Sequence, residues 1–479
     1  MIEISVRELK TICDAQLISG DDQTLCKGVV IDSRLVDANS IFVAFSGENV
    51  DGNNYTIAAC ERGAACVCMT REPSAEELEK AAASHTSLLL TSDPEKLLQD
   101  LAVYYRNKIN PIVVGITGSV GKTSTKEMTR DLLATTYRVH ATSGNFNNLL
   151  GLPLTILSAP ADTEVLVLEM GMSALGEIST LSRIGRPNLS IITKVGTSHV
   201  GMLGSRENIA RAKAEIIEGM APSAEKDHNL SSKLFMTAGD DFTQFIIDTF
   251  ATPAGVDVEL CGARIEGDIS AHNIQLDDAS YPSFSVALQD GSTFETTLSL
   301  TGIHSVSNAL LAIGVAHELG VANDVIATTL AHMKPAHMRQ EQRTSKHGAC
   351  IIDDSYNAAP DSIAAALDVL MKLSCDGMHA AVLGQVGELG DEAQLLHGLI
   401  GAYAAAKKLD LLVCVGGVDA QQMATSAKLM GMPDDTVMVV ETAQDALVAL
   451  AEVFGENDIV LVKGSRSVGL DKFVEGMCA

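Results

Sequence analysis

The sequence predicts an α/β protein of three domains: a small α/β domain over residues 1–108, a central domain with a mostly parallel sheet over 109–333, and a Rossmann-like doubly wound domain over 334–479. Three observations predict it. The chain has 479 residues, about three domains at ~150 residues each. From Ile112 onward, β-branched runs alternate with helical ones. After Lys334 and Pro335 a second alternating series begins.

In chain order, the first hundred residues carry short β-like runs at 41–44 and 65–69 between turns rich in Gly, Asp and Asn. A helical stretch over 94–105 leads to Asn110–Pro111, where the first boundary is placed. The middle series predicts strands at 112–117, 165–169 and 189–195, with helices at 122–133 and 206–220. Residues 256–300 read as an antiparallel appendage. The last series predicts strands at 350–353, 380–383, 411–415, 436–440 and 459–462, with a helix at 444–454. No repeat or low-complexity tract is visible.

Composition narrows the function. With 46% hydrophobic and 20% charged residues the chain is globular. Its 34 basic and 61 acidic residues leave a net charge of −27, which argues against a nucleic-acid partner. Any anionic ligand must be captured by a local positive site against that field. The opening MIEISVRELKTICD lacks the apolar core of a signal peptide, and no apolar run approaches the ~20 residues of a membrane span. The ten cysteines are scattered, and Cys66 and Cys68 have no second pair at metal spacing. Free thiols in the cytoplasm are expected.

The most specific motif is GITGSVGKTST, residues 115–125. Glycines there let backbone N–H groups approach phosphates, and the following helix contributes a positive dipole end. Gly115, Thr117, Gly118, Ser119, Val120, Gly121 and Ser124 form the expected cradle. Lys122 reaches the β/γ-phosphates and Thr123 ligates Mg²⁺. The glycines fall at 115, 118 and 121, whereas the generic phosphate loop would have one at 116.

That spacing resembles the loop of the Mur ligase family, and further segments extend the resemblance over nearly the whole chain. DSR with IFVAFSGENVDGNNY resembles the family's nucleotide-sugar end, implying Ser33 and Arg34 as substrate contacts; Asn53 stands where the family often has His. TSGNFNNLLGLP implies Thr142, Asn145 and Asn147 as substrate-binding. LVLEMGMSALGEI implies Glu169 as a metal ligand and Ser173 as a substrate contact. IITKVGTSHVGMLGS implies His199 as a second-metal ligand, with Lys194 replacing Asn. In SRENIARAKAEIIEGM, Lys213 shares a face with Ile209, Ile216 and Ile217; it either snorkels outward or loses its charge. The family implies the latter, as a CO₂-carbamoylated lysine completing the second metal site. GIHSVSNALLA implies Asn308 and His304 beside adenine. Arg339 in PAHMRQEQ implies a γ-phosphate contact, with Arg343 as the alternative. IIDDSYNAAPDS implies Asp353, Tyr356 and Asn357 on the nucleotide side, with Ala359 replacing Asn. LGQVGELG has Gln385 in place of Asp, and VKGSRSVG implies Lys463 and Ser465 at the incoming carboxylate.

The resemblance therefore implies a monomeric ATP-dependent ligase using two Mg²⁺ ions and lysine-bound CO₂, with Lys122, Lys213, His199 and Arg339 as its catalytic residues. The first domain would hold UDP-N-acetylmuramoyl-tripeptide, the second ATP, and the third D-alanyl-D-alanine. Alternatives are another amino-acid-adding or folylpolyglutamate-type ligase, a phosphate-loop kinase or regulatory ATPase, and a degenerate ATP-binding module suggested by Lys194, Ala359 and Gln385.

Overall fold

The computed structural model describes residues 1–47, 50–225 and 228–478. Glu48 and Asn49 of the IFVAFSGENVDGNNY segment fall outside the described residues.

The first domain is a five-stranded sheet in the order Gln16–Ser19, Ser87–Leu90, Cys66–Met69, Ile41–Val43, Val29–Val30. All neighbours are parallel except the Gln16–Ser19 edge. Cys66–Met69 is buried along its length, as the apolar run required. All ten cysteines are free thiols.

Helix Pro94–Ile109 follows, started by the Asp93 side chain on the Lys96 N–H and a first-turn proline. It ends at Asn110 in the left-handed region, φ +43°. Its last turns belong as much to the second domain as to the first. Tyr105 donates to the Ala159 carbonyl at 2.8 Å, and Arg106 donates to that of Ile184 at 2.7 Å.

The middle domain is one nine-stranded sheet. Its parallel part runs Val139–Ala141, Val165–Glu169, Ile112–Thr117, Leu189–Ile192, Lys233–Thr237, Asp257–Gly262, Ile269–Leu276. Pro282–Ala287 and Thr293–Thr297 add antiparallel strands at the edge. The expected appendage over 256–300 is thus the continuation of the same sheet, and its first strand is parallel. Short hairpin turns betray the antiparallel pairs, but only tertiary placement shows which sheet they extend.

The third domain has six strands in the order Glu341–Thr344, Cys350–Asp353, Ile459–Lys463, His379–Gly384, Leu411–Val415, Val437–Val440. Only the Glu341–Thr344 edge is antiparallel. Among the described residues no helix is long and apolar enough to cross a membrane.

Candidate active site between the middle and C-terminal domains

A cavity of about 1000 Å³ lies where the carboxyl ends of both parallel sheets meet, the place open α/β sheets reserve for ligands. The phosphate loop forms its floor. Strand Ile112–Thr117 is interior to the sheet, so the chain leaves it through a tight turn into helix Lys122–Ala134. Gly118 has φ +146°, and a Cβ there would sit 2.0 Å from Thr193 Oγ1. Gly121 has φ +86°, and its Cβ would meet Asn308 Oδ1 at 2.6 Å. Dihedral angle and space both demand glycine at these two positions. The turn is fastened by Ser119 N–H to the Lys194 carbonyl at 2.7 Å and by Thr193 Oγ1 to the Val120 carbonyl at 2.6 Å.

Ser119, Val120, Gly121, Lys122, Thr123 and Ser124 line the cavity. Gly115 and Thr117 do not. Gly115 lies within the strand, where a Cβ would be 2.9 Å from Pro187 Cγ, and the Thr117 hydroxyl is spent on the Met170 carbonyl at 2.8 Å. The Lys122 ammonium folds back onto the Gly118 carbonyl at 2.7 Å. Burial lowers its pKa, with Glu169 opposing.

Glu169 ends strand Val165–Glu169 and is 2% exposed. Asn147 Nδ2 donates to its Oε1 at 2.8 Å, whereas Oε2 is buried without a hydrogen-bond partner. Asn147 also lines the cavity, so its amide orients the carboxylate. Thr142 does not reach the cavity: it is buried, its hydroxyl accepting the Glu169 N–H at 3.0 Å. Asn145 is exposed outside it. Ser173 lines the wall, held by Glu177 through its N–H at 2.7 Å.

Lys213 is 1% exposed. The apolar face read from the sequence is real, and the side chain does not snorkel. Among the described residues nothing hydrogen-bonds or pairs with its ammonium. Burial drives its pKa well below the usual lysine value, and Lys122 pushes the same way. Lys213 stands behind the wall, not on it. His199 is on the wall, at φ +66°, with Nδ1 against the Glu388 carboxylate of the C-terminal domain. Burial lowers its pKa, opposed by Glu388.

The opposite wall is made of side chains. Arg339 stacks 4.4 Å over the Tyr356 ring, between Met338 and Gln340 at φ +57° and +54°. Gln340 ties this linker to the middle domain, accepting from Thr301 Oγ1 at 2.7 Å. His304, Asn308, Tyr356 and Asn357 all line the cavity. Arg343, the alternative to Arg339, lies on the edge strand near Asp353 and does not.

Asp353 is also absent from the wall: it turns inward, accepting from the Ser355 hydroxyl at 2.6 Å. Its neighbour Asp354 takes the place, paired with Lys463 at 2.7 Å. The Lys463 ammonium, which also donates to the Asn357 carbonyl at 3.1 Å, is therefore already neutralised. Ser465 lies off the cavity, its Oγ accepting the Gly387 N–H at 2.8 Å.

Three departures from the family pattern acquire local explanations. Lys194 Nζ sits 3.1 Å from Asp361 Oδ2 across the domain gap. Gln385 Oε1 accepts the Gly417 N–H at 3.0 Å, steadying the turn into helix Val418–Leu429. Asn53 is buried and stitches a turn, donating to Asp51 at 2.7 Å and Thr70 at 2.8 Å. Ser33 and Arg34 lie on the first domain, outside the cavity. The Arg34 guanidinium is held by Asp32 at 2.6 Å, which brings that carboxyl down to about 2.

A phosphate loop beside a buried, half-satisfied carboxylate, on one wall of a cleft between two α/β domains, defines a multidomain nucleotide-using enzyme. Comparison with known proteins narrows this. Residues 26–106 match the description "Mur ligase family, catalytic domain", 116–316 "Mur ligase middle domain", and 338–466 "Mur ligase, glutamate ligase domain". The UDP-N-acetylmuramoyl-tripeptide–D-alanyl-D-alanine ligase of Bacillus subtilis is 34% identical over 100% of this chain and 99% of its own. A crystal structure of MurF from Acinetobacter baumannii is 28% identical, with TM-score 0.86 over 100% and 99% of the two chains. That of MurF from Thermotoga maritima in complex with ADP is 25% identical, with TM-score 0.78 over 94% and 97%. The chain belongs to the Mur ligase family.

Proposed function

We propose that this chain joins the terminal carboxylate of UDP-N-acetylmuramoyl-tripeptide to the amine of D-alanyl-D-alanine, converting ATP to ADP and phosphate in peptidoglycan precursor synthesis. The enzyme is an ATP-dependent amide-forming ligase of the Mur family. The observation carrying the reading is the single cavity that brings the phosphate loop, the Glu169 carboxylate and the Arg339 side of the C-terminal domain together. Full-length likeness to a UDP-N-acetylmuramoyl-tripeptide–D-alanyl-D-alanine ligase supports the choice of substrates, and a cytoplasmic setting accords with it.

A carboxylate resists attack until one oxygen becomes a leaving group. Transfer of the γ-phosphoryl group makes an acyl phosphate; the dipeptide amine then attacks its carbonyl carbon and phosphate departs. The loop N–H groups and helix N-terminus hold the phosphates. Lys122 leaves the Gly118 carbonyl to meet them, and Arg339 faces them from the other domain. His304 and Asn308 lie beside the loop for the base, with Tyr356 and Asn357 opposite.

The residues fit divalent cations. Glu169 Oε2 is a buried oxygen without a partner, and Thr123 lines the same cavity; His199 and a carbamoylated Lys213 supply the second set. A buried amine, unpaired among the described residues and with its pKa driven down by burial, suits CO₂ addition, which gives a carbamate and a proton. Bound Mg²⁺ would neutralise phosphoryl charge and let two anions approach. Ser33 and Arg34 are assigned to the uridine end of the long nucleotide-sugar, outside the cavity, and Ser173 and Asn147 to the peptide near the acyl carbon.

Phosphate release tests the reading. It should require both UDP-N-acetylmuramoyl-tripeptide and D-alanyl-D-alanine; release indifferent to either would overturn it.

A further inference from the structure

The incoming amine arrives as an ammonium, and the cavity contains a carboxylate with no assigned partner suited to it. Asp361 lies in the first turn of helix Pro360–Leu370. A carboxylate there ordinarily accepts backbone N–H bonds of its own helix. Asp361 accepts none: both oxygens are buried without a hydrogen-bond partner, and the residue lines the cavity. It faces the phosphate loop closely. A Cβ on Gly196 would be 3.2 Å from Asp361 Oδ2 and 3.3 Å from Ser119 Cβ, so the Asp361 carboxylate and the phosphate loop share one glycine as their neighbour.

The single group opposite is itself an ammonium. Lys194 Nζ comes to 3.1 Å of Asp361 Oδ2 on a half-exposed side chain, oriented so that no hydrogen bond is completed. We propose that Asp361 is the seat and proton acceptor for the ammonium end of the incoming dipeptide, and that Lys194 is a tethered stand-in displaced when the dipeptide binds.

This rests on the ligase reading above. The seated ammonium passes one proton to the Asp361 carboxylate, leaving a neutral amine and a carboxylic acid. Its lone pair forms the C–N bond at the acyl carbon. The C–O bond to phosphate breaks with its electrons on phosphate, which takes the second amine proton. Asp361 then returns its proton to water.

The test compares two nucleophiles on the intact enzyme with ATP and UDP-N-acetylmuramoyl-tripeptide. D-alanyl-D-alanine carries an ammonium; hydroxylamine, uncharged at neutral pH, needs no seat and traps the acyl phosphate as a hydroxamate. Removing a hydrogen bond to a charged group predicts that Asp361→Asn lowers kcat/KM for the dipeptide ~10- to 100-fold more than that for hydroxylamine. Lys194→Ala, which removes the competitor, should lower the dipeptide KM. Equal losses with both nucleophiles, or a Lys194→Ala defect matching that of Asp361→Asn, would overturn the proposal and make the pair a domain latch. Lys194→Ala decides the matter if Asp361→Asn does not fold. A wild-type enzyme forming no hydroxamate would instead sink the ligase reading.

Discussion

The two walls of the cavity are built in different ways. The middle-domain wall is mostly backbone: a strand end, two glycines at positive φ and a helix N-terminus, with Glu169 fixed by local hydrogen bonds. The C-terminal wall is side chains held by other side chains, often across the domain gap: Arg339 on Tyr356, Lys463 on Asp354, Lys194 on Asp361, Glu388 on His199. Two buried lysines condense the contrast. Burial lowers the pKa of both, yet Lys463 has a carboxylate partner whereas Lys213 has none among the described residues. One is tied into an ion pair, and the other is left without a counter-ion among the described residues. A wall made of backbone tolerates few substitutions; one made of paired side chains should fail pair by pair.

Lys122→Ala strikes the backbone-built wall at the side chain that meets the phosphates, and kcat for phosphate release should fall ~10³-fold or more, about 4 kcal/mol. Asp354→Asn leaves Lys463 buried and unpaired, and urea unfolding should show a loss of about 3 kcal/mol. Lys213→Met sharpens the contrast: its fold should lose less than about 1 kcal/mol, because an apolar chain replaces an unpaired amine, while ligation is lost. A stability loss equal to that of Asp354→Asn would show that Lys213 is also a paired structural cation. Tyr356→Leu removes the stacking platform of Arg339, and kcat/KM for ATP should drop about 5-fold, roughly 1 kcal/mol.

The smallest effect lies far from either wall. Glu77 is held by the Arg71 guanidinium at 2.8 Å and by its own helix cap, and these, led by Arg71, keep its carboxyl below the ordinary 4.5. A carboxyl lowered on folding contributes stability above its unfolded value and loses it as pH falls through the folded one. Glu77→Gln should therefore cost about 1 kcal/mol at pH 7, after allowing for the partly exposed arginine, and nothing once both forms are protonated in acid. Chemical denaturation at the two pH values checks the sign.

Legibility follows the same division. Strands at 112–117, 165–169 and 350–353 coincide with the residues observed, because a fully buried parallel strand must be a continuous apolar run. The phosphate loop and the apolar stripe bearing Lys213 were equally readable, since both depend on neighbours in sequence. Asp353 and Asp354 were not distinguishable. Adjacent residues on a strand end point to opposite faces, and which face meets the cavity depends on how the domain is seated. Thr142 reads as a substrate contact, whereas in the structure its buried hydroxyl accepts the Glu169 N–H. Asp361, Gln340 and Glu388 left no signal, because their partners lie on another domain.

By itself the sequence determined three α/β domains, a phosphate-binding turn and a lysine placed on an apolar helix face. Each follows from short-range rules: strand periodicity, glycine dihedrals and burial along one helix face. Only the tertiary structure decided which carboxylates face the cavity, which lysine is neutralised and what Lys194 meets. Those choices are made by groups distant in sequence that packing, within a domain or between domains, brings within ~4 Å, where electrostatic pairing is strongest and sequence separation carries no information.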